Sequence, residues 1–193
     1  CAVTIGAFDG VHLGHQSVLT HLRQQAVSLE VPTTVVTFEP LPREYLRPLE
    51  APPRITTLRD KWPLLAECGV DRVLCLPFNE SLRQLSAREF VEEVFVSGLG
   101  VRYLAFGDDF RFGTRREGAL DYVRALADEF GYAVAPTPTL ELDGDRVSST
   151  RIRAALAEAD FELAAQLLGR PFELSGRVLH GQKLGRQLDA PTA

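Results

Sequence analysis

Methionine is absent from the 193 residues, tryptophan occurs once and cysteine three times. Cys1, Cys68 and Cys75 form no C-x-x-C pair and leave an odd one over. That argues against a disulfide framework and against a cysteine zinc site, and makes a reducing, cytoplasmic setting the expectation. No apolar run approaches the roughly 20 residues that a membrane helix needs, so no membrane partner is expected. Positive charge is also short, with 21 Lys and Arg against 26 Asp and Glu and a net charge of −5. Non-specific nucleic-acid binding needs the opposite balance, so no nucleic acid is expected. A phosphate ligand needs only a few well-placed cations and stays open. Two common phosphate signatures are missing: no G-x-x-x-x-G-K-[ST], and no G-x-G-x-x-G after the first strand. The first residues, Cys1 to Ile5, already read as a strand; with no methionine anywhere, the expectation is a piece of a longer chain.

What is present is an alternation. Ala2–Gly6, Thr33–Phe38, Arg72–Leu76, Tyr103–Phe106 and Tyr132–Pro136 are short apolar or β-branched runs that read as buried strands. Helical periodicity fills the intervals: His15 to Leu29, Thr57 to Cys68 despite Pro63, a Ser86-capped stretch to Ser97, and Glu117 to Phe130. Two further helices are expected over Ser149–Glu158 and Asp160–Leu168. Five of the twelve prolines fall between Glu39 and Thr56, which reads as a loop or an irregular subdomain. After Pro171 the character changes, and Phe172–Leu179 reads as a strand followed by a basic, Gly-rich turn. The pattern predicts a Rossmann-like α/β fold, a parallel sheet with helices on both faces. Ligands then sit outside the carboxyl ends of the strands, which singles out the loops after Gly6, Phe38, Phe106 and Pro136.

Three segments carry residues suited to chemistry. Gly6-Ala7-Phe8-Asp9-Gly10-Val11-His12-Leu13-Gly14-His15 joins the first strand to the first helix. Its helix start offers free N–H groups and a positive dipole end, and two imidazoles three residues apart can meet one phosphoryl oxygen there. The plainer alternative is that His12 and His15 only cap the helix; His21 reads as a helix-surface residue. Val147-Ser148-Ser149-Thr150-Arg151-Ile152-Arg153 opens a later helix. Its hydroxyls suit capping, but Arg151 and Arg153 oppose the helix dipole, a conflict that a bound anion resolves. Phe106 to Gly113 alternates aromatic and charged residues between glycines, which suits a flat ligand or a turn over buried aromatics.

Taken in order, these segments resemble the prokaryotic bifunctional riboflavin kinase/FMN adenylyltransferase family. The matching stretches are Thr4 to His15, Thr37 to Arg43, Gly107 to Gly113 and Ser148 to Arg153. A fifth, Gly176 to Gly181 with Gly185-Arg186 and Pro191-Thr192-Ala193, resembles the start of that family's riboflavin kinase barrel. The sequence departs from the pattern at Ala7, where many relatives carry Asn, and at Asp189, where a glycine is usual.

The resemblance implies a nucleotidyltransferase fold over residues 1–170 and a barrel stub over 171–193, too short to close or to act as a kinase. It implies AMP transfer from Mg-ATP to FMN, giving FAD and pyrophosphate, with Mg²⁺ bridging phosphates mostly through water. His12, His15 and Arg153 would serve catalysis. Gly6, Phe8, Asp9, Gly10, Arg146, Ser148, Ser149 and Thr150 would complete the ATP site. Phe38, Pro40, Pro42, Phe90, Asp109 and Phe112 would hold the flavin. No residue is assigned to a metal. Two rival readings remain: the same chemistry on another phosphorylated acceptor, and a flavin carrier without catalysis.

Overall fold

The protein is described by a computed structural model over residues 1–107, 110–114, 117–137 and 139–177. The chain begins in the centre of its sheet. Strand β1 (Ala2–Ile5) leads through helix α1 (Leu13–Ser28) to β2 (Thr33–Glu39). The proline-rich stretch that follows holds a short helix α2 (Pro42–Leu46) and a 3₁₀ turn (Pro48–Glu50), the irregular-subdomain form of the two that the sequence left open. Helix α3 (Leu58–Glu67) then precedes β3 (Arg72–Pro77) and α4 (Glu80–Gln84). Helix α5 (Ala87–Phe90) starts at a Ser86–Glu89 capping box and runs on as a π-helical stretch, Val91–Gly98. The sheet resumes with β4 (Tyr103–Phe106), followed by α6 (Leu120–Phe130) and β5 (Ala133–Pro136). A hairpin, β6 (Glu141–Leu142) and β7 (Asp145–Arg146), precedes α7 (Ser149–Ala157) and α8 (Phe161–Leu168).

The five main strands are parallel and ordered β3-β2-β1-β4-β5. The chain builds outward from β1 to one edge, then returns to β4, so the topological switch lies between β1 and β4. Strand alternation divides the core. Val3, Ile5, Leu104 and Phe106 face Phe90, Val91 and Phe95, with Val123 and Leu126 of α6. Ala2, Tyr103 and Ala105 face Leu22 and Ala26 of α1, and Val35 meets Leu19 and Leu65. Helices thus cover both faces, as the buried strands require. A fourth cluster, Ile55, Val147, Ile152, Leu167 and Leu168, packs α7 and α8 against the end of the proline-rich stretch.

Three expectations change. Helix α6 begins at Leu120 rather than Glu117, because Gly118 bridges back to Phe112. Residues 172–177 join no strand among the described residues, and an extended segment without a neighbour has no ladder to hold it; 178–193, including the barrel motifs, lie outside the described residues. The hairpin at 141–146 was not expected. It turns at Asp143-Gly144, both at positive φ (57° and 81°), the backbone that an Asp-Gly pair favours.

Candidate active site

His12 is the N-cap of α1, and its Nδ1 accepts from the His15 N–H at 3.3 Å. A neutral ring that accepts at Nδ1 carries its proton on Nε2, which leaves a donor for a ligand. Capping therefore occupies one nitrogen and does not use the other. The rings of His12 and His15 stack at 3.7 Å, and Phe8 lies against His15 at 4.8 Å. Burial pushes the His12 pKa down to about 4; the Asp9 charge opposes this, while Arg146 and Arg153 reinforce it. Burial likewise holds His15 well below its ordinary value, with His12 and Lys61 adding to the effect. Nδ1 of His15 is buried without a hydrogen-bond partner. Both rings are neutral at neutral pH.

The start of α7 meets the start of α1. A methyl group on Gly14 would lie 3.0 Å from the Val147 carbonyl and 3.1 Å from His12 Nδ1, so a larger residue would crowd this approach and push its neighbours back. Ser149 Oγ donates to the Asp9 carbonyl at 3.0 Å. Arg153 Nη2 reaches the Asp9 carboxylate at 2.5 Å, and its Nε donates to the Pro53 carbonyl at 2.7 Å. Asp9 is 2% exposed and also accepts from the Ile55 and Thr56 amides. The two separate segments thus form one unit, with Asp9 as its pin.

Several candidates already hold hydrogen bonds within the protein. Asp9 is fully engaged within the protein. Gly10 gives its N–H to Thr56 Oγ1 and its carbonyl to Arg170, so it shapes the loop. Gly6 gives its N–H to Val36 and contributes only surface. Ser148 caps α7 by accepting from the Arg151 N–H. The Arg151 guanidinium turns to the Leu142 and Asp145 carbonyls, so the hairpin, not an anion, relieves its conflict with the dipole. His21 is tied to Tyr103 at 2.8 Å.

Three cavities open here. One of about 330 Å³ is lined by Gly6, Phe8, His12, His15, Arg146, Ser148 and Ser149, with Gly107 and Thr137 from the ends of β4 and β5. A second, also about 330 Å³, lies beside it between Ala7, Phe38, Pro42, Thr150 and Arg153. A third, about 340 Å³ and mainly apolar, is walled by Phe38, Pro42, Phe78, Phe90 and Phe112. Phe110 lines all three and so marks their junction. Pro40 is exposed and lines none of these three, and Asp109 lies outside the described residues.

Sequence reasoning left three contributors unassigned. Phe110 sat inside a quoted motif without a role. Arg54 clamps the proline-rich stretch by bonding Glu39 (2.7 Å) and Glu44 (2.5 Å). Lys61 is 2% exposed and donates to the Ala7 carbonyl at 2.7 Å. A lysine on an amphipathic helix reads as surface, so no local signal marks it.

A parallel sheet of this order, with a polar cavity over its switch point, defines an α/β fold of the Rossmann-like nucleotidyltransferase class. A solved structure from Streptococcus pneumoniae, described as a macrolide-efflux protein, has that fold: TM-score 0.83 and 28% identity, covering 98% of this chain and 62% of the other. The FAD synthetase family model matches residues 1–151, and the riboflavin kinase model matches 168–193. The chain belongs to the FAD synthetase family. Among its relatives are bifunctional riboflavin kinase/FMN adenylyltransferases from Pseudomonas fluorescens (56% identical), Haemophilus influenzae (47%) and Escherichia coli K12 (46%), each matched over all 193 residues. The chain spans 62–63% of the length of these relatives.

Proposed function

We propose that residues 1–170 form an FMN adenylyltransferase unit that transfers AMP from ATP to FMN, releasing FAD and pyrophosphate, and that 171–193 begin a riboflavin kinase barrel completed only in the whole protein. The observation that carries this reading is the meeting of two helix starts, one with paired imidazoles and one with hydroxyls and a guanidinium, beside a phenylalanine-walled cavity. Small-molecule substrates, neither nucleic acid nor membrane, and a cytoplasmic setting go with it. No helix among the described residues is long and apolar enough to cross a membrane.

The chemistry needs no protein nucleophile. A phosphate oxygen of FMN attacks the α-phosphorus of ATP in line, that P–O bond forms, and the bond to the β,γ-pyrophosphate breaks. The protein aligns the two substrates and meets the charge that develops. His12 Nε2–H and the neighbouring His15 ring donate to the α-phosphoryl oxygens. The α7 start, with Ser149, Thr150 and Arg146, holds the leaving pyrophosphate, while Arg153, anchored on Asp9, adds fixed positive charge. The flavin ring lies between Phe38, Phe90 and Phe112, with its phosphate directed past Phe110.

ATP enters as its Mg²⁺ complex. The described residues lining the histidine cavity include no Asp or Glu, and Asp9 is already engaged. Asp9 and Glu44 line the neighbouring cavity, each paired with an arginine, so the ion would depend mainly on the phosphates of ATP and would offset their charge. Incubation with FMN, ATP and Mg²⁺ and chromatographic separation of flavins tests the reading. FAD and equimolar pyrophosphate are expected; pyrophosphate release with another phosphorylated acceptor but not with FMN would overturn it.

A further inference from the structure

We infer that Lys61 is a positioning residue: through the Ala7 carbonyl it sets the Ala7–Phe8 peptide for the phosphates of the bound nucleotide. The inference rests on the nucleotidyl-transfer reading above and adds a residue outside its motifs.

Lysine is almost never fully buried without a partner, and Lys61 forms no ion pair among the described residues. Burial lowers its pKa; Asp9, Glu39 and the Cys75 thiol favour its charge, and Arg54 opposes it. Leucine or methionine would fill the same space without desolvating an ammonium group. The charged donor is therefore kept for what it holds. It holds the Ala7 oxygen, which Thr37 Oγ1 also approaches at 3.4 Å.

That peptide occupies a particular place. Ala7 lines the cavity of Thr150 and Arg153, while Phe8 lines the cavity of His12 and His15, so the Ala7–Phe8 link runs between the two. In a trans peptide, C=O and N–H point in opposite directions. An Ala7 carbonyl drawn inward to Lys61 turns the Phe8 N–H outward, and that N–H meets no acceptor among the described residues. Phe8 also has φ +48°, a conformation costly for a bulky side chain that persists only where its surroundings enforce it. The Phe8 ring against His15 is one such restraint; the Lys61 bond is the other.

Lys61→Met keeps most of the volume and removes the donor. Binding of a non-hydrolysable α,β-methylene ATP analogue and of adenosine is measured by calorimetry on the 193-residue protein, with wild type and Lys61→Arg beside it. Lys61→Met is expected to weaken the analogue about tenfold or more and adenosine less than about twofold, while Lys61→Arg recovers most of the loss. A purely structural role moves both ligands together. Parallel weakening, or an unchanged analogue affinity, overturns the inference. Should Lys61→Met fail to fold, Lys61→Gln, a shorter uncharged donor, is judged by the same ratio. Neither ligand needs an acceptor, so absence of FAD formation by the wild type defeats the FMN reading alone. Failure of the wild type to bind the analogue defeats both.

Discussion

The depressed proton affinity of His12 makes folding depend on pH in a calculable way. His12 is 5% exposed, and its pKa falls from 6.5 to about 4 chiefly because burial disfavours the cation. Since the folded value lies below the unfolded one, the unfolded chain takes up the proton first. The stabilisation is complete above about pH 6.5 and is lost as pH falls towards about 4. At about 1.4 kcal/mol per tenfold in proton affinity, the whole difference amounts to about 3 kcal/mol. Between about pH 7.5 and about pH 5 the part that appears is about 2 kcal/mol. His12→Asn is the informative perturbation, because Asn also caps a helix by accepting from an amide and does not titrate. His15 remains in both proteins, so its own share largely cancels. Urea unfolding of the two proteins at both pH values gives the comparison. Wild type is expected to lose about 2 kcal/mol more than His12→Asn on acidification. Parallel losses would refute burial of the ring as the controlling effect.

The remaining expectations concern turnover, the pin and the aromatic cavity. His12→Ala and His15→Ala are each expected to lower FAD formation about 10²–10³-fold, read by chromatography of the flavins; wild-type rates in both would remove the imidazoles from the mechanism. Arg153→Ala leaves the Asp9 carboxylate buried without its cation and is expected to cost about 3 kcal/mol in urea unfolding, less the share that water recovers at a guanidinium 19% exposed. Gly118→Ala places a methyl 2.6 Å from the Phe112 ring and pushes that ring into the apolar cavity. Flavin fluorescence titration should show FMN affinity falling about tenfold, with ATP-analogue affinity unchanged.

Much of the fold was legible because strand and helix periods are local. β1, β2 and β4 lie where their apolar runs indicated, and the loops after Gly6, Phe106 and Pro136 do open on the histidine cavity. Ser86, Ser148 and Asp160 cap helices at the expected starts. The H-x-G-H and Ser-Ser-Thr segments were recognisable since each combines a helix start with groups that favour an anion. The roles of Arg151 and Arg153 were not separable from sequence. They sit two residues apart on one turn, yet one bonds the hairpin carbonyls and the other a buried carboxylate. The Asp-Gly turn at 143–144 was a usable signal for that hairpin, overlooked because its strands are only two residues long.

Residue order alone settled the class of fold, the two helix starts suited to an anion, and the family pattern, because each depends on neighbours within a few positions. Tertiary packing alone decided which polar groups remain for a ligand. Asp9, Gly10 and Ser148 look like free binding residues in a motif, but folding brings Arg153, Thr56, Arg170 and the Arg151 amide to them, so each already holds partners within the protein. Lys61 looks like surface and is buried under Ala7. Hydrogen bonds are short-ranged and saturable, so their final owners are fixed only when distant segments close on one another.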